Sequence, residues 1–233
     1  MVVGRLFYSI YLPFFSMTSL LADAASGYGT PRLVTYVSTR NDMGIRSLAV
    51  KGSQLIVGYK CKNPVEVYVM TTFTLQRRLT TVERVSGLAA CGINNCLYVS
   101  DLSAKVTTNK VDLSTHNTVL TWSVSGYCNG MLENTMRNVL ISCYTSNEIL
   151  MYTTVGKLVR EVFLGGIIPF QAVQLPSGQL VVSQYSPLHR VCVVGYDGKE
   201  FRSYGNTAGS QYGQLNEPRG LALYGKQSCF SCC

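Results

Sequence analysis

Residues 179–185 read QLVVSQY: a short, mostly β-branched apolar run that ends on a small residue, Ser183. Three other segments have the same form, QLIVGYK (54–60), CLYVSDL (96–102) and VLISCYT (139–145). Aligned on the small residue, they place Gly58, Ser100, Ser142 and Ser183 at steps of 42, 42 and 41 residues. A fixed period of this length is the mark of a repeat architecture, in which each unit is one supersecondary motif.

The neighbours of these segments repeat as well. About ten residues upstream of each small residue lies another strand-like run: IRSLAV (45–50), VSGLAA (85–90), CNGMLE (128–133) and PFQAVQ (169–174). A fifth copy, PRGLAL, begins at Pro218. Downstream come VEVYVM, KVTTNKV, EILMYTT and RVCVVGY, and then LQRRLTT, VLTWSV, LVREVFL and EFRSYG. Turn residues punctuate them, as at Lys51-Gly52, Asn94-Asn95, Ser177-Gly178 and Asp197-Gly198. Four short strands per period of about 42 residues predict a blade, a small antiparallel sheet that buries its faces only by stacking on its neighbours. The small residues are expected to let adjacent blades approach. The fold expected is all-β: an incomplete β-propeller of four-stranded antiparallel blades, with about four full blades and a fifth partial blade.

Three segments carry a family resemblance: NEPRGLAL (216–223), SNEILMYTTVGKLVREV (146–162) and HRVCVVGYDGKEFRSYGNTAGSQYGQL (189–215). They resemble NHL repeats, as found in invertebrate NHL-repeat proteins and in the NHL module of tripartite-motif proteins. The likeness runs roughly from Gly44 to Tyr224 and is weakest in the first copy, where CKNPVEV lacks the Asn-Arg pair. It implies a propeller, usually six-bladed, used as a binding platform for protein or RNA. No Cys/His pattern for a RING or B-box accompanies it. Six blades need roughly 250 residues at this repeat length. The chain has 233 and ends on GKQSCFSCC, so a truncated ring is expected. Residues 25–225 would form it and residues 226–233 an aberrant Cys-rich tail, the product of a splice or gene-model variant. RLVTYVS (32–38) is expected as an extra strand of the last blade. A blade face of roughly 400 Å² left wet forfeits up to about 10 kcal/mol. The open edge should therefore be covered by the N-terminal segment or by a second chain, or be prone to self-association.

The first 24 residues have the order of a secretory signal peptide: Arg5, an apolar stretch from Leu6 to Leu21, then the small-residue site Ala22-Asp23-Ala24. Secretion is therefore expected, with a cytoplasmic location as the alternative if the leader is not a signal. All nine cysteines follow Ala24, and an odd number cannot all pair within one chain. Cys91 and Cys96 flank a GINN hairpin loop, where opposed residues can meet disulfide geometry. Such a bridge closes a tiny loop and contributes only about 2 kcal/mol. Cys128, Cys143 and Cys192 are expected as buried free thiols.

Catalytic patterns are sparse. The chain has no Gly-x-Ser-x-Gly elbow and no phosphate-cradling Gly-rich loop with its Lys. A catalytic zinc usually needs three protein ligands. His116 and His189 are the only histidines, and they hold different positions within the repeat. No cofactor, no metal and no enzymatic activity is expected, which disfavours the propeller lyases that hold zinc through histidines. The formal charge of +8 permits anionic partners without clustering its cations.

The function expected is binding at one rim of the propeller, with a protein partner. The alternative is a cytoplasmic module that recognises RNA or a ubiquitination substrate. Arg46 and Arg219 follow the strand-opening position of their copies, and Gln171 is their equivalent in the fourth. His189 and Arg190 fall where the resembled family has its Asn-Arg pair. These five are the candidate ligand-binding residues.

Overall fold

The structure, a computed structural model, describes residues 5–10, 18–23, 44–59, 65–80, 82, 84–103, 106–224 and 228–232. A hairpin of β1 (Arg5–Ile10) and β2 (Thr18–Asp23) comes first. Four antiparallel sheets of four strands follow in chain order. Blade 1 holds β3 (Ile45–Lys51), β4 (Gln54–Tyr59), β5 (Val65–Val69) and β6 (Leu75–Leu79). Blade 2 holds β7 (Val85–Ala90), β8 (Cys96–Asp101), β9 (Thr107–Asp112) and β10 (Thr118–Ser123). Blade 3 holds β11 (Cys128–Glu133), β12 (Val139–Cys143), β13 (Glu148–Tyr152) and β14 (Leu158–Phe163). Blade 4 holds β15 (Gln171–Gln174), β16 (Leu180–Gln184), β17 (Arg190–Val194) and β18 (Glu200–Gly205). A last hairpin pairs β19 (Gly220–Tyr224) with β20 (Ser228–Cys232). The fold is an incomplete propeller of four-stranded blades.

The first strands of successive sheets lie side by side around the axis: β3 by β7, β7 by β11, β11 by β15, β15 by β19. Burial follows from that order. Second strands are buried along almost their whole length, whereas β10, β14 and β18 are largely exposed. Apolar side chains interleave between neighbouring blades. Ile56, Val65 and Val67 of blade 1 pack with Leu88, Leu97, Val99 and Val111 of blade 2. Tyr98 of blade 2 packs with Met131, Val139, Ile141 and Leu150 of blade 3. Leu140, Ile149 and Val162 of blade 3 meet Ala172, Leu180, Val182 and Val194 of blade 4. Trp122 stands between Tyr98 and Tyr152, with ring centroids 6.2 and 5.9 Å away, and serves packing.

The repeat's small residues occupy matching places. Gly58, Ser100, Ser142 and Ser183 all lie on second strands, opposite Ser47, Gly87, Gly130 and Gln171. A Cβ on Gly58 would come within 2.7 Å of Val85 in the next blade. The tightest approach is one strand inward. A Cβ on Gly87 would lie 2.9 Å from the Asn129 carbonyl, and one on Gly130 2.5 Å from the Phe170 carbonyl.

Two expectations about the ends meet the structure differently. The fifth unit does not stop at its first strand. β20 pairs with β19 in the register Leu221↔Ser231, Ala222↔Phe230 and Leu223↔Cys229. An unpaired strand edge is a template for the next available segment, and residues 228–232 are that segment. β1 lies near β20 without joining its sheet. The expected extra strand at 32–38 lies outside the described residues. The far face of blade 1, with Leu55, Val57 and Tyr59, is 2–5 % exposed, so it is not left wet.

The cysteine expectations are corrected for both pairs, whereas Cys192 is the buried thiol expected. Cys128 and Cys143 form a disulfide, whereas Cys91, Cys96 and Cys192 are buried thiols. Register explains the difference. Cys91 N donates to Cys96 O at 3.0 Å, so these two form a hydrogen-bonded pair, the type whose side chains stand farther apart. At the other hairpin the backbone bond belongs to Tyr144 N and Tyr127 O. Cys128 and Cys143 are the next, closer pair, with Cα atoms 4.0 Å apart. Burial first, and then the hydrogen bond to Cys91, pushes the Cys96 thiol up to about 12.

Candidate ligand-binding site

Each inner strand begins with a defect. The ladder slips between Ile45 and Ser47, between Val85 and Gly87, and between Cys128 and Gly130. Arg46, Ser86 and Asn129 are therefore the extra, bulged residues. Blade 4 has a related feature, because Phe170 N bonds Ser183 O while Gln171 is the register partner of the same serine. A bulge bends the strand and re-aims one side chain, which is why bulges gather at binding sites. Here they set three polar side chains, those of Arg46, Ser86 and Asn129, at one end of the ring, with Phe170 in the equivalent place in blade 4 and Arg219 in that place before β19. We call this end the mouth.

One of the bulged side chains spans two blades. Arg46 Nη2 donates to Asn129 Oδ1, from blade 1 to blade 3, passing over blade 2. Gln171 Oε1 accepts from Leu221 N at 3.0 Å, and Ser183 Oγ donates to the Arg219 carbonyl at 2.8 Å. Ser86 Oγ donates to Ser100 Oγ at 2.9 Å within its own blade. These bonds hold the first residues of the inner strands in one cluster.

Aromatic rings complete it. The Arg46 guanidinium lies over the Phe170 ring, 5.8 Å from its centroid, and the Arg219 guanidinium lies over the same ring at 5.5 Å. Arg219 is also 5.4 Å from the Tyr185 ring, which meets Phe170 edge-on at 5.6 Å. Cations over aromatic faces at such distances are attracted by roughly 0.5–2 kcal/mol each, more as they are desolvated. Glu217 Oε2 accepts from Arg219 Nη2 at 2.8 Å. On the blade 3 side, Tyr127 and Tyr144 form a second ring pair at 6.1 Å.

The five candidates divide. Arg46, Gln171 and Arg219 come together at the mouth. His189 stands behind them: its Nδ1 accepts from Glu217 N at 3.0 Å, which fixes the segment leading to Arg219. Arg190 has another role. Its Nε donates to Gln184 Oε1 at 2.9 Å and its Nη1 pairs with Glu200 at 3.1 Å, so it joins strands within blade 4. Gln184 lies directly opposite it in the ladder. Phe170, Tyr185 and Asn129 were not among the candidates. The expected equivalence of Gln171 to Arg46 is corrected by one residue: Gln171 faces Ser183 as Ser47, Gly87 and Gly130 face Gly58, Ser100 and Ser142, so Phe170 holds the place of Arg46, Ser86 and Asn129, where an apolar residue reads as core.

Among the described residues no group of three or more His, Cys, Asp or Glu is placed to hold a metal. His116 bonds Arg77 Nη1 at 3.0 Å, away from the residues that surround His189.

No family model matches this sequence, and no curated protein matches it. Solved structures do. A protein of unknown function from Bacteroides caccae superposes with a TM-score of 0.68 at 11 % identity, over 95 % of this chain and 80 % of that one. Hydrazine synthase from Kuenenia stuttgartiensis superposes with a TM-score of 0.59 at 15 % identity, over 78 % of this chain and 53 % of that one. The likeness is one of fold. The chain spans about half the length of the hydrazine synthase chain.

Proposed function

We propose that this chain is a non-enzymatic recognition module of the NHL-repeat propeller type, made on the secretory route, which binds a protein ligand at the mouth. The observation that carries the reading is the convergence of Arg46 and Arg219, from opposite ends of the described blade series, on the one Phe170 ring. The repeat residues quoted above support the family, and the leader supports the route. The chemistry of the mouth favours binding over catalysis. Guanidinium groups keep their protons at any physiological pH, and the amides of Asn129 and Gln171 do not titrate. Such groups hold charge and orient a ligand rather than shuttle protons. Arg and aromatic residues are also the side chains that most often dominate binding energy in protein interfaces.

The test is selection of displayed random peptides against the full chain, with a random RNA pool selected in parallel. The expected result is a set of peptides whose binding falls at least about tenfold in Arg46→Ala/Arg219→Ala, with an unchanged circular dichroism spectrum. RNA is the competing ligand, motivated by the net charge of +8. Enrichment of RNA alone, with binding that steepens as salt falls, would contradict the reading. So would peptides that bind both proteins alike.

A further inference from the structure

We infer that the loop 206–216 carries the recognition surface beyond the mouth, with Tyr212 as its anchor for an uncharged, apolar peptide segment of the partner. The inference rests on the recognition reading above and deepens it by naming the chemistry of the ligand.

Three observations lead to it. The first is position. β18 ends and β19 begins at the mouth, so the chain between them runs along that end of the ring. The equivalent connections, 124–127 and 164–170, are shorter. Loops held by a rigid scaffold are where binding residues gather. His189 Nδ1 accepts from Glu217 N at 3.0 Å, which ties the end of this connection to blade 4.

The second is order. Leu215 N donates to the Thr207 carbonyl at 3.3 Å, and Gly209 N to the Leu215 carbonyl at 3.2 Å, so the base of the loop is closed. Its tip is a turn in which Gln214 N donates to the Gln211 carbonyl at 2.9 Å. Gly213, with φ of 83°, has the left-handed conformation that a type II turn needs at its third residue. Tyr212 therefore stands at the corner of the turn, and it is 100 % exposed. Gly213 N donates to Tyr204 Oη at 3.1 Å, which braces the turn against β18. A side chain presented by an ordered turn loses less freedom when a ligand arrives.

The third is chemistry. Residues 206–216, NTAGSQYGQLN, hold no charged side chain. Small and amide residues around a tyrosine are the composition of antibody binding loops: the ring supplies contact area, and its neighbours supply adaptable hydrogen bonds. Tyr204 and Leu188 add exposed apolar surface beside the loop. An aromatic side chain buries about 150–250 Å². A stable protein interface needs about 800 Å² from each partner. The loop thus suits one segment of a ligand whose remainder lies on the mouth. Single-stranded nucleic acid needs cations along its stacking rings, and this loop has none.

The test begins with the displayed random peptides selected on the full chain. The most enriched peptide is synthesised with a label and measured by fluorescence anisotropy. The enriched peptides are expected to share apolar residues. Tyr212→Ala should weaken the labelled peptide at least about tenfold. Its melting temperature should be unchanged, because the side chain is fully exposed. Tyr212→Phe, which loses only the hydroxyl, should weaken it about threefold. Tetranitromethane followed by peptide mass mapping should nitrate Tyr212 first in the free chain and spare it in the complex. That footprint needs no variant.

Wild-type affinity in Tyr212→Ala, equal nitration of Tyr212 with and without peptide, or enriched peptides that share no apolar residue would overturn the inference. Tighter binding of oligouridine than of the peptide would also overturn it. If the peptide loses affinity in Arg46→Ala/Arg219→Ala and keeps it in Tyr212→Ala, this inference fails and the recognition reading survives. If it loses affinity in Tyr212→Ala alone, the loop binds by itself and the reading of the mouth fails. If nothing binds, both fail.

Discussion

The two ends of the inner strands are built from the same repeat and solve different problems. At the far end, where each inner strand turns into the second, polar links run from blade to blade. Lys51 Nζ donates to the Cys91 carbonyl at 2.5 Å, Gly92 N to Glu133 at 3.0 Å, and Asn134 Nδ2 to Gln174 Oε1 at 2.5 Å. Each joins one blade to the next and leaves its partner satisfied. At the mouth, the strands are bulged and one of their side chains spans two blades. They place cations over aromatic rings instead of closing every link between neighbours. The comparison teaches that the far end clamps the blades in sequence, while the mouth uses the same spacing to assemble a surface. Mutations at the far end should therefore lower stability and leave the binding proposed for the mouth unchanged.

The largest effect is expected where the inner strands touch. Gly130→Val should destabilise the fold by about 3 kcal/mol in chemical denaturation, because its Cβ would meet the backbone of Phe170 and Gln171 at 2.5 and 2.7 Å. It should abolish mouth binding as well, since those backbone atoms carry the Phe170 ring. A Gly130→Val protein of normal stability would break the close-packed picture of the axis.

Next comes the mouth-end disulfide. Cys128 and Cys143 are 15 residues apart, and a bridge of that span contributes about 3 kcal/mol in the chain-entropy model. Cys128→Ala/Cys143→Ala should lose about that much. Alkylation under denaturing conditions without reductant, followed by peptide mass mapping, should label Cys91, Cys96 and Cys192 and spare Cys128 and Cys143. Labelling in the reverse sense would undo the register argument for the two cysteine pairs.

Smaller still is the far-end link. Glu133 accepts from Gly92 N and pairs with Arg137 Nη1 at 3.0 Å, with its own side chain only 3 % exposed. Glu133→Ala should cost about 1–2 kcal/mol in thermal or chemical unfolding and leave the affinity of mouth ligands unchanged. Loss of binding in that variant would erase the distinction between the ends.

The smallest effects are in pH, and they too differ by end. Near the mouth, burial alone would raise the Glu66 carboxyl. Hydrogen bonds from Tyr59, Tyr68 and Arg78 outweigh burial and hold it below its ordinary 4.5. Its contribution to stability is therefore present above about 4.5 and is lost as pH falls through the depressed value. Glu66→Gln should flatten that acid limb. At the far end Cys96 is raised from 9.0 to about 12, so its contribution is complete below about 9 and fades as pH climbs toward 12. Stability measured against pH in Cys96→Ala should show a flatter alkaline limb. Unchanged limbs in both variants would contradict these environments.

Much of the fold was legible because a repeat period is a property of spacing alone. Gly58, Ser100, Ser142 and Ser183 locate every second strand, and the strands on either side follow by length. The site was only partly legible. Arg46 and Arg219 could be found by aligning copies, and the same alignment puts Phe170 rather than Gln171 in their place. The bulge that aims Arg46 is a relation between two strands, and neither strand's sequence contains it. Arg190 looked equivalent in kind to Arg46, but pairing with Gln184 and Glu200 turns it into a strand-joining residue. Disulfide pairing failed for a similar reason. Which cysteine pair is close depends on whether a rung carries backbone hydrogen bonds, and that parity is set by register. The fifth unit was cut short in the reading because its second strand lacks the repeat's residues, although its backbone still pairs.

The central claim is that inner strands two blades apart meet through Arg46 and Asn129. A double-mutant cycle of Arg46→Ala and Asn129→Ala, read by denaturant unfolding, measures it most directly. A direct contact predicts a coupling of about 1 kcal/mol between residues 83 positions apart in the chain. Strict additivity, within about 0.3 kcal/mol, would mean that these strands do not meet and that the mouth is not assembled as described.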